Sequence, residues 1–183
     1  MIDLAITAEN IRTIIHGYLD EHPDEKQALA PLLGLLDEGA DLASRKEFRG
    51  HATAGAILAR PDGRILHIHH LALDKWLLPG GHLEAQDDTL LDAALRELTE
   101  ETGIPADAVT AVADRPVHID VHAIPANDAK GEPDHQHIDF RFLFRTTADV
   151  HQLQTEEVTD AAWREPETIT DERLRRQVSA VLR

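Results

Sequence analysis

The sequence predicts an α+β fold, a mixed β-sheet covered by helices on both faces (an α/β/α sandwich) and preceded by a helical extension. Three observations predict it. Strand-like runs lie on both sides of one long amphipathic helix, Asp88–Thr102. A second amphipathic stretch closes the chain, and two more open it. Runs of strands interleaved with helices bury their apolar faces best as packed layers. At 183 residues there is room for one well-packed domain and a small extension, and not for two ordinary domains.

The first helix is expected from Thr7 to Tyr18 or Asp20, with Thr7 and Asn10 at its capping position and Ile11, Ile14, Ile15 and Tyr18 on one stripe. A second starts at Pro23, a favoured first-turn residue, with Asp24 and Glu25 at its positive end. It carries Leu29, Leu32, Leu33 and Leu36 and stops near Gly39. Residues 1–46 are therefore assigned to the extension and residues 47–183 to the main domain.

Two strands, His51–Ala59 and Arg64–Leu71, are joined by the turn Pro61-Asp62-Gly63. Trp76 to Pro79 leads into Gly80-Gly81 and the central helix, whose stripe is Leu91, Ala94, Leu95 and Leu98. Gly103 ends that helix. Val109–Ile124 and His135–Arg145 read as strands around a loop with Pro125, Gly131 and Pro133, and a short strand follows at Ala161–Trp163. The last helix is Asp171–Leu182.

Composition narrows the function. Hydrophobic content of 42% and charged content of 28% are those of a soluble globular protein. There is no cysteine, which removes disulfides, thiolate nucleophiles and thiolate metal ligands. No basic stretch followed by an apolar core opens the chain, and no apolar run approaches the ~18–20 residues of a membrane span, so a cytoplasmic location is expected. A net charge of −16 repels phosphate backbones and argues against nucleic-acid binding. The same charge would repel a small phosphorylated substrate unless divalent ions bridge the two.

Glu97, Glu100 and Glu101 stand at i, i+3 and i+4, on one face of the central helix. Like charges so spaced cost a helix roughly 0.2–0.5 kcal/mol per pair. Beside a double glycine, where backbone can approach an ion closely, this arrangement points to a hard cation with oxygen ligands. The run Gly81 to Ile104, with Arg96-Glu97-Leu98-Thr99-Glu100-Glu101-Thr102-Gly103-Ile104 as its second half, resembles the Nudix box, G-x5-E-x7-R-E-U-x-E-E-x-G-U with U aliphatic. The loop is one residue longer than the pattern. Counting from Gly81 puts Asp87 at the first acidic position, and counting back from Arg96 puts Asp88 there.

The resemblance implies the same α/β/α sandwich from about Phe48 onward and a diphosphohydrolase. Such an enzyme splits a phosphoanhydride in a nucleoside diphosphate derivative, nucleotide or nucleotide sugar, with Mg²⁺ or Mn²⁺. By resemblance, Glu97, Glu100, Glu101 and the carbonyl of Gly81 are the metal ligands, and Arg96 is the arginine that orients a box glutamate. The general base is assigned first to Glu101 and second to Glu157, on a later loop. A non-catalytic Nudix-like ligand-binding or sensor protein is the alternative; loss of the metal glutamates would be its mark, and here they are intact.

Histidine supplies a second constellation. His118, Asp120 and His122 share one face of a strand, and His135, His137 and Asp139 share one face of another. If the strands pair, six polar groups converge, as an open face with His–Asp hydrogen bonds, a substrate pocket or a transition-metal site. Asp120, His122, His137 and Asp139 are taken as substrate-binding candidates, with Trp76 and His82 flanking the double glycine. Trp76 is equally suited to anchoring its loop in the core. No subfamily mark downstream of the box identifies a substrate, and a homodimer is left open.

Overall fold

The computed structural model describes residues 6–150, 153 and 156–183. Helices α1 (Ala8–Glu21) and α2 (Lys26–Asp37) precede strands β1 (His51–Ala59), β2 (Ile65–His70), β3 (Lys75–Leu77) and β4 (Gly80–His82). Then follow α3 (Leu90–Thr102), β5 (Val109–Ala111), β6 (His118–Ile124), β7 (His135–Thr146), β8 (Val158–Arg164) and α4 (Glu172–Leu182).

The sheet is mixed, in the order β3-β2-β1-β7-β5, with β4 also on β1, β6 on β7 and β8 on β2. Its centre is the parallel pair β1–β7, in register from His51↔His137 to Ala59↔Arg145. Every residue of β1 is buried, which suits a strand covered on both faces. Strand β7 sorts its side chains by alternation. Phe140, Phe142 and Phe144 join one core cluster with Leu90, Ala94 and Leu98 of α3, whereas Leu143 packs with Leu174 and Val178 of α4. The two helices therefore cover opposite faces.

The extension belongs to the first of these clusters: Ile11, Ile15, Leu29 and Leu32 are continuous with Ile119, Ile138 and Phe140. The expected capping box is present, with the Thr7 hydroxyl accepting from the Asn10 N–H and the Asn10 side chain accepting from the Thr7 N–H. Pro23–Glu25 form a 3₁₀ turn leading into α2, and Gly39 takes φ +79° just past it. Polar contacts tie the extension to α4. The Gln177 amide donates to Tyr18 Oη (2.9 Å) and Glu25 Oε1 (3.0 Å), and Arg173 pairs with Glu25 at 3.0 Å.

The structure corrects one expected strand. Val109–Ile124 is not continuous; it splits into β5 and β6, which pair with different parts of β7. Pro116 lacks a backbone N–H, and the chain loops out between two anchoring bonds, Val112 N–H to Leu143 O (2.9 Å) and Val117 N–H to Arg141 O (2.8 Å). Among the described residues no helix is long and apolar enough to cross a membrane.

Candidate active site

The site begins with backbone approach. Strand β4 pairs antiparallel with Thr53–Gly55 of β1. A Cβ on Gly80 would stand 2.8 Å from Ala54 O, and one on Gly81 would stand 2.5 Å from Glu97 Oε1. The two clashes differ in kind: at Gly80 two backbones touch, and at Gly81 only the flexible end of a carboxylate rests on the chain.

Helix α3 brings the acids to this point. Thr89 caps it, accepting from the Asp92 N–H at 3.0 Å, and Gly103 ends it at φ +70°. The glutamates do not all face outward, as the stripe alone suggests, because Glu101 is only 3% exposed. Gly80 N–H donates to Glu101 Oε2 at 3.1 Å. Burial, with Glu97, Glu157 and Glu100 as like-charged neighbours, pushes the Glu101 carboxyl up to about 8. Burial also raises Glu97.

Arg96 knits the loop to the helix. It donates to Asp87 through Nε (2.8 Å) and Nη2 (3.0 Å), to His82 O (2.9 Å), to Glu97 Oε1 (3.0 Å) and to Glu100 Oε2 (3.1 Å). Asp87, 5% exposed, also accepts from the Glu84 N–H at 2.8 Å, whereas Asp88 is exposed. Of the two aspartates left open by counting, Asp87 is the one that Arg96 holds. Glu157 is exposed in the turn before β8, and its carbonyl accepts from the Leu71 N–H.

The donor set around Gly81, Glu97, Glu100 and Glu101 is all oxygen and fits Mg²⁺ or Mn²⁺. Asp87, Glu97 and Glu100 share one guanidinium beside the buried Glu101, leaving surplus negative charge that a divalent ion would balance. The trio's carboxylates do not all close to within 4.8 Å of one another, whereas among the described residues histidines and aspartates of the sheet do, in one case with Asp171 at the start of α4.

The face of β7 that carries Leu143, turned away from α3, gathers most of the other candidates, and His82 reaches it from the strand next to the double glycine. Strands β6 and β7 pair with Asp120 opposite Asp139 and His122 opposite His137. Asp120 bonds His122 Nδ1 at 3.0 Å, which lowers the Asp120 pKa and raises that of His122. Asp139 accepts from Thr53 and, at 3.1 Å, from Arg141. His82 stands with its ring 5.0 Å from His137 and 5.3 Å from His51. Burial carries His82 down to about 4 and His137 down to about 3.

One candidate lies apart from this group, and another joins it from the side of α4. Trp76, on β3, packs its ring against His69 and the Arg164 guanidinium. His118 is fully buried and bonds Gln177 of α4 at 2.6 Å. Two residues absent from the expectations join the face. Arg141 continues the alternation of His137 and Asp139, a signal the sequence does carry. His51 opens a strand with no neighbouring pattern, and only the β1–β7 register places it beside His137.

Comparison with known proteins identifies the family. The family model for the NUDIX domain matches residues 49–182. A protein of Lactococcus lactis subsp. cremoris (strain MG1363), named "Probable DHNTP pyrophosphohydrolase", is 33% identical over 66% of this chain and 69% of its own length. Phosphatase NudJ of Escherichia coli (strain K12) is 44% identical over 32% of this chain, and the match spans only 39% of NudJ. The crystal structure of a MutT protein from Methanosarcina mazei Go1 superposes with a TM-score of 0.54 over 74% of this chain and 94% of that one. At 23% identity that likeness shows the fold. The chain belongs to the Nudix family and carries a Nudix hydrolase domain.

Proposed function

We propose that this Nudix hydrolase cleaves a phosphoanhydride bond in a nucleoside diphosphate derivative, a nucleotide or nucleotide sugar, by metal-assisted attack of water. The observation that carries the reading is Glu101. A carboxylate 3% exposed, pushed up to about 8 by burial among three other glutamates and beside Gly80, favours its neutral form at neutral pH, and a cation close by would favour the charged form.

Glu97, Glu100, Glu101 and the Gly81 carbonyl would hold Mg²⁺ or Mn²⁺. A bound ion supplies Lewis-acid polarisation of the phosphoryl oxygens and eases ionisation of water. Glu101, held by the Gly80 N–H, is the first choice for the base that accepts the proton of the attacking water. Glu157 is the second choice for that base, close enough to act on Glu101 electrostatically. Arg96 fixes Asp87, Glu97 and Glu100 in one frame, so it positions the ligands. Arg141, with His122 and His137, suits the phosphates of a small substrate, because a guanidinium can bond two phosphate oxygens at once. Asp120 and Asp139 orient those groups, and His82 completes the candidate binding set, from which Trp76 stands apart on β3. The acidic surface favours a small phosphorylated substrate over nucleic acid, and a cytoplasmic enzyme is the consistent setting. The name of the L. lactis relative, a pyrophosphohydrolase, supports the bond type.

A panel of nucleoside triphosphates, ADP-ribose and other sugar nucleotides, tested with Mg²⁺ and Mn²⁺ for released phosphate species, tests the reading. Metal-dependent turnover of at least one compound, abolished by chelator, is expected. Failure across the panel, or turnover that survives chelation, would contradict it.

A further inference from the structure

The imidazoles of β1, β4 and β7 form a cluster in which hydrogen bonding leaves one buried ring nitrogen unpaired. The ring centroids of His51, His135 and His137 lie 4.9, 5.0 and 5.1 Å apart. His82 adds a fourth ring at 5.0 Å from His137 and 5.3 Å from His51. Imidazoles sharing one tetrahedral ion at a metal–nitrogen distance of ~2.0–2.1 Å hold their centroids ~5 Å apart. One ligand nitrogen from each of His51, His135 and His137 already lies within 4.8 Å of the others.

Tautomers settle which nitrogens face inward. His51 Nδ1 is 3.2 Å from Glu47 O, and His135 Nδ1 is 2.8 Å from Pro133 O. A carbonyl only accepts, so both Nδ1 atoms carry the proton and both Nε2 atoms present a lone pair. An outer carbonyl that fixes the ring and its tautomer is the usual support of a metal-bound histidine. His135 Nε2 lies 3.2 Å from His137 Nε2, and a proton on His137 satisfies that pair alone. His51 Nε2 then has nothing: His51 is 2% exposed, and this nitrogen is one of two buried side-chain polar atoms without a hydrogen-bond partner among the described residues. A cation accepting all three lone pairs satisfies every ring at once.

We infer that His51, His135 and His137, with His82 closing the fourth side, bind one divalent transition-metal ion of the zinc, cobalt or nickel class, at a site separate from the box carboxylates. Neutral nitrogen ligands select this class over Mg²⁺, which prefers oxygen. The inference does not rest on the hydrolase reading, since its readout is bound metal and not turnover.

The test uses the full chain, stripped with chelator, dialysed and titrated with Zn²⁺ and with Co²⁺ in excess Mg²⁺. One ion per chain is expected by elemental analysis, with the intense visible bands of tetrahedral Co²⁺. The double variant H51Q/H137Q should weaken binding more than about 100-fold, beyond what outer-shell changes cause, and E97Q/E100Q should retain it. If the double variant fails to fold by circular dichroism, H135Q and the histidine ring nitrogens of the wild type, followed by NMR on adding Zn²⁺, decide. No stoichiometric ion in the wild type, unmoved ring nitrogens, or undiminished binding in a folded histidine variant would overturn the site.

Discussion

The two ends of β4 differ in how their polar groups are assembled. On the Gly80–Gly81 side, carboxylates from one helix crowd against backbone and share a single guanidinium. On the His82 side, neutral imidazoles from three strands crowd against each other. The first arrangement has surplus negative charge, and the second has surplus lone pairs. The lesson is that one short strand separates a region suited to a hard cation from one suited to a softer cation, with Arg96 bonding His82 O at the boundary.

The sharpest break of this comparison is Glu101→Gln. If Glu101 is the base, kcat falls by about 10²–10⁴ with folding intact. Near-normal turnover in steady-state assays would move the role to Glu157.

Next in size is the arginine frame. Arg96→Met leaves Asp87 buried with no cationic partner and is expected to cost about 3–5 kcal/mol in denaturant unfolding. Asp87→Ala should also destabilise, whereas exposed Asp88→Ala should stay within about 0.5 kcal/mol. Equal effects at the two aspartates would refute the assignment of Asp87.

The acidic side also has a pH signature in metal-free protein. The Glu101 pKa rises on folding from 4.5 to about 8. The folded state therefore binds more protons than the unfolded state between those values, and stability falls as pH rises across that window. Glu101→Gln should be more stable than wild type at pH 8 in chelator, by about 2–4 kcal/mol at about 1.4 kcal/mol for each tenfold change in proton affinity. The advantage should vanish near pH 4. A pH-independent difference in melting curves would contradict the burial argument.

Smaller effects separate the two glycines. Gly80→Ala meets the backbone of Ala54 and Gly55, which cannot give way cheaply, and should cost about 1–3 kcal/mol. Gly81→Ala meets only the flexible end of Glu97, so folding should survive while Mn²⁺ affinity and turnover fall. The reverse order in thermal melts would show that the contacts around β4 are misassigned.

The acidic side was legible in the sequence because its residues are contiguous and fixed by helical spacing. Arg96, Glu97, Glu100 and Glu101 need only one helix to meet. The strands His51–Ala59 and His135–Thr146 could be read for the same local reason, by alternation and turn residues. What spacing alone left undecided was decided by packing. Asp87 over Asp88 follows from which carboxylate the loop buries, and the break at Pro116 follows from β7 holding Val112 and Val117 on either side of it. The imidazole side was only half legible. His137 and Asp139 show on their own strand, but His51 enters through a parallel register 86 residues distant, which no local pattern encodes.

Anomalous diffraction from crystals grown with Mn²⁺ tests the central claim most directly. An ion bound by the Gly81 carbonyl and the carboxylates of Glu97, Glu100 and Glu101 is the predicted result. Carboxylates turned away from one another, with no anomalous peak between them, would contradict it.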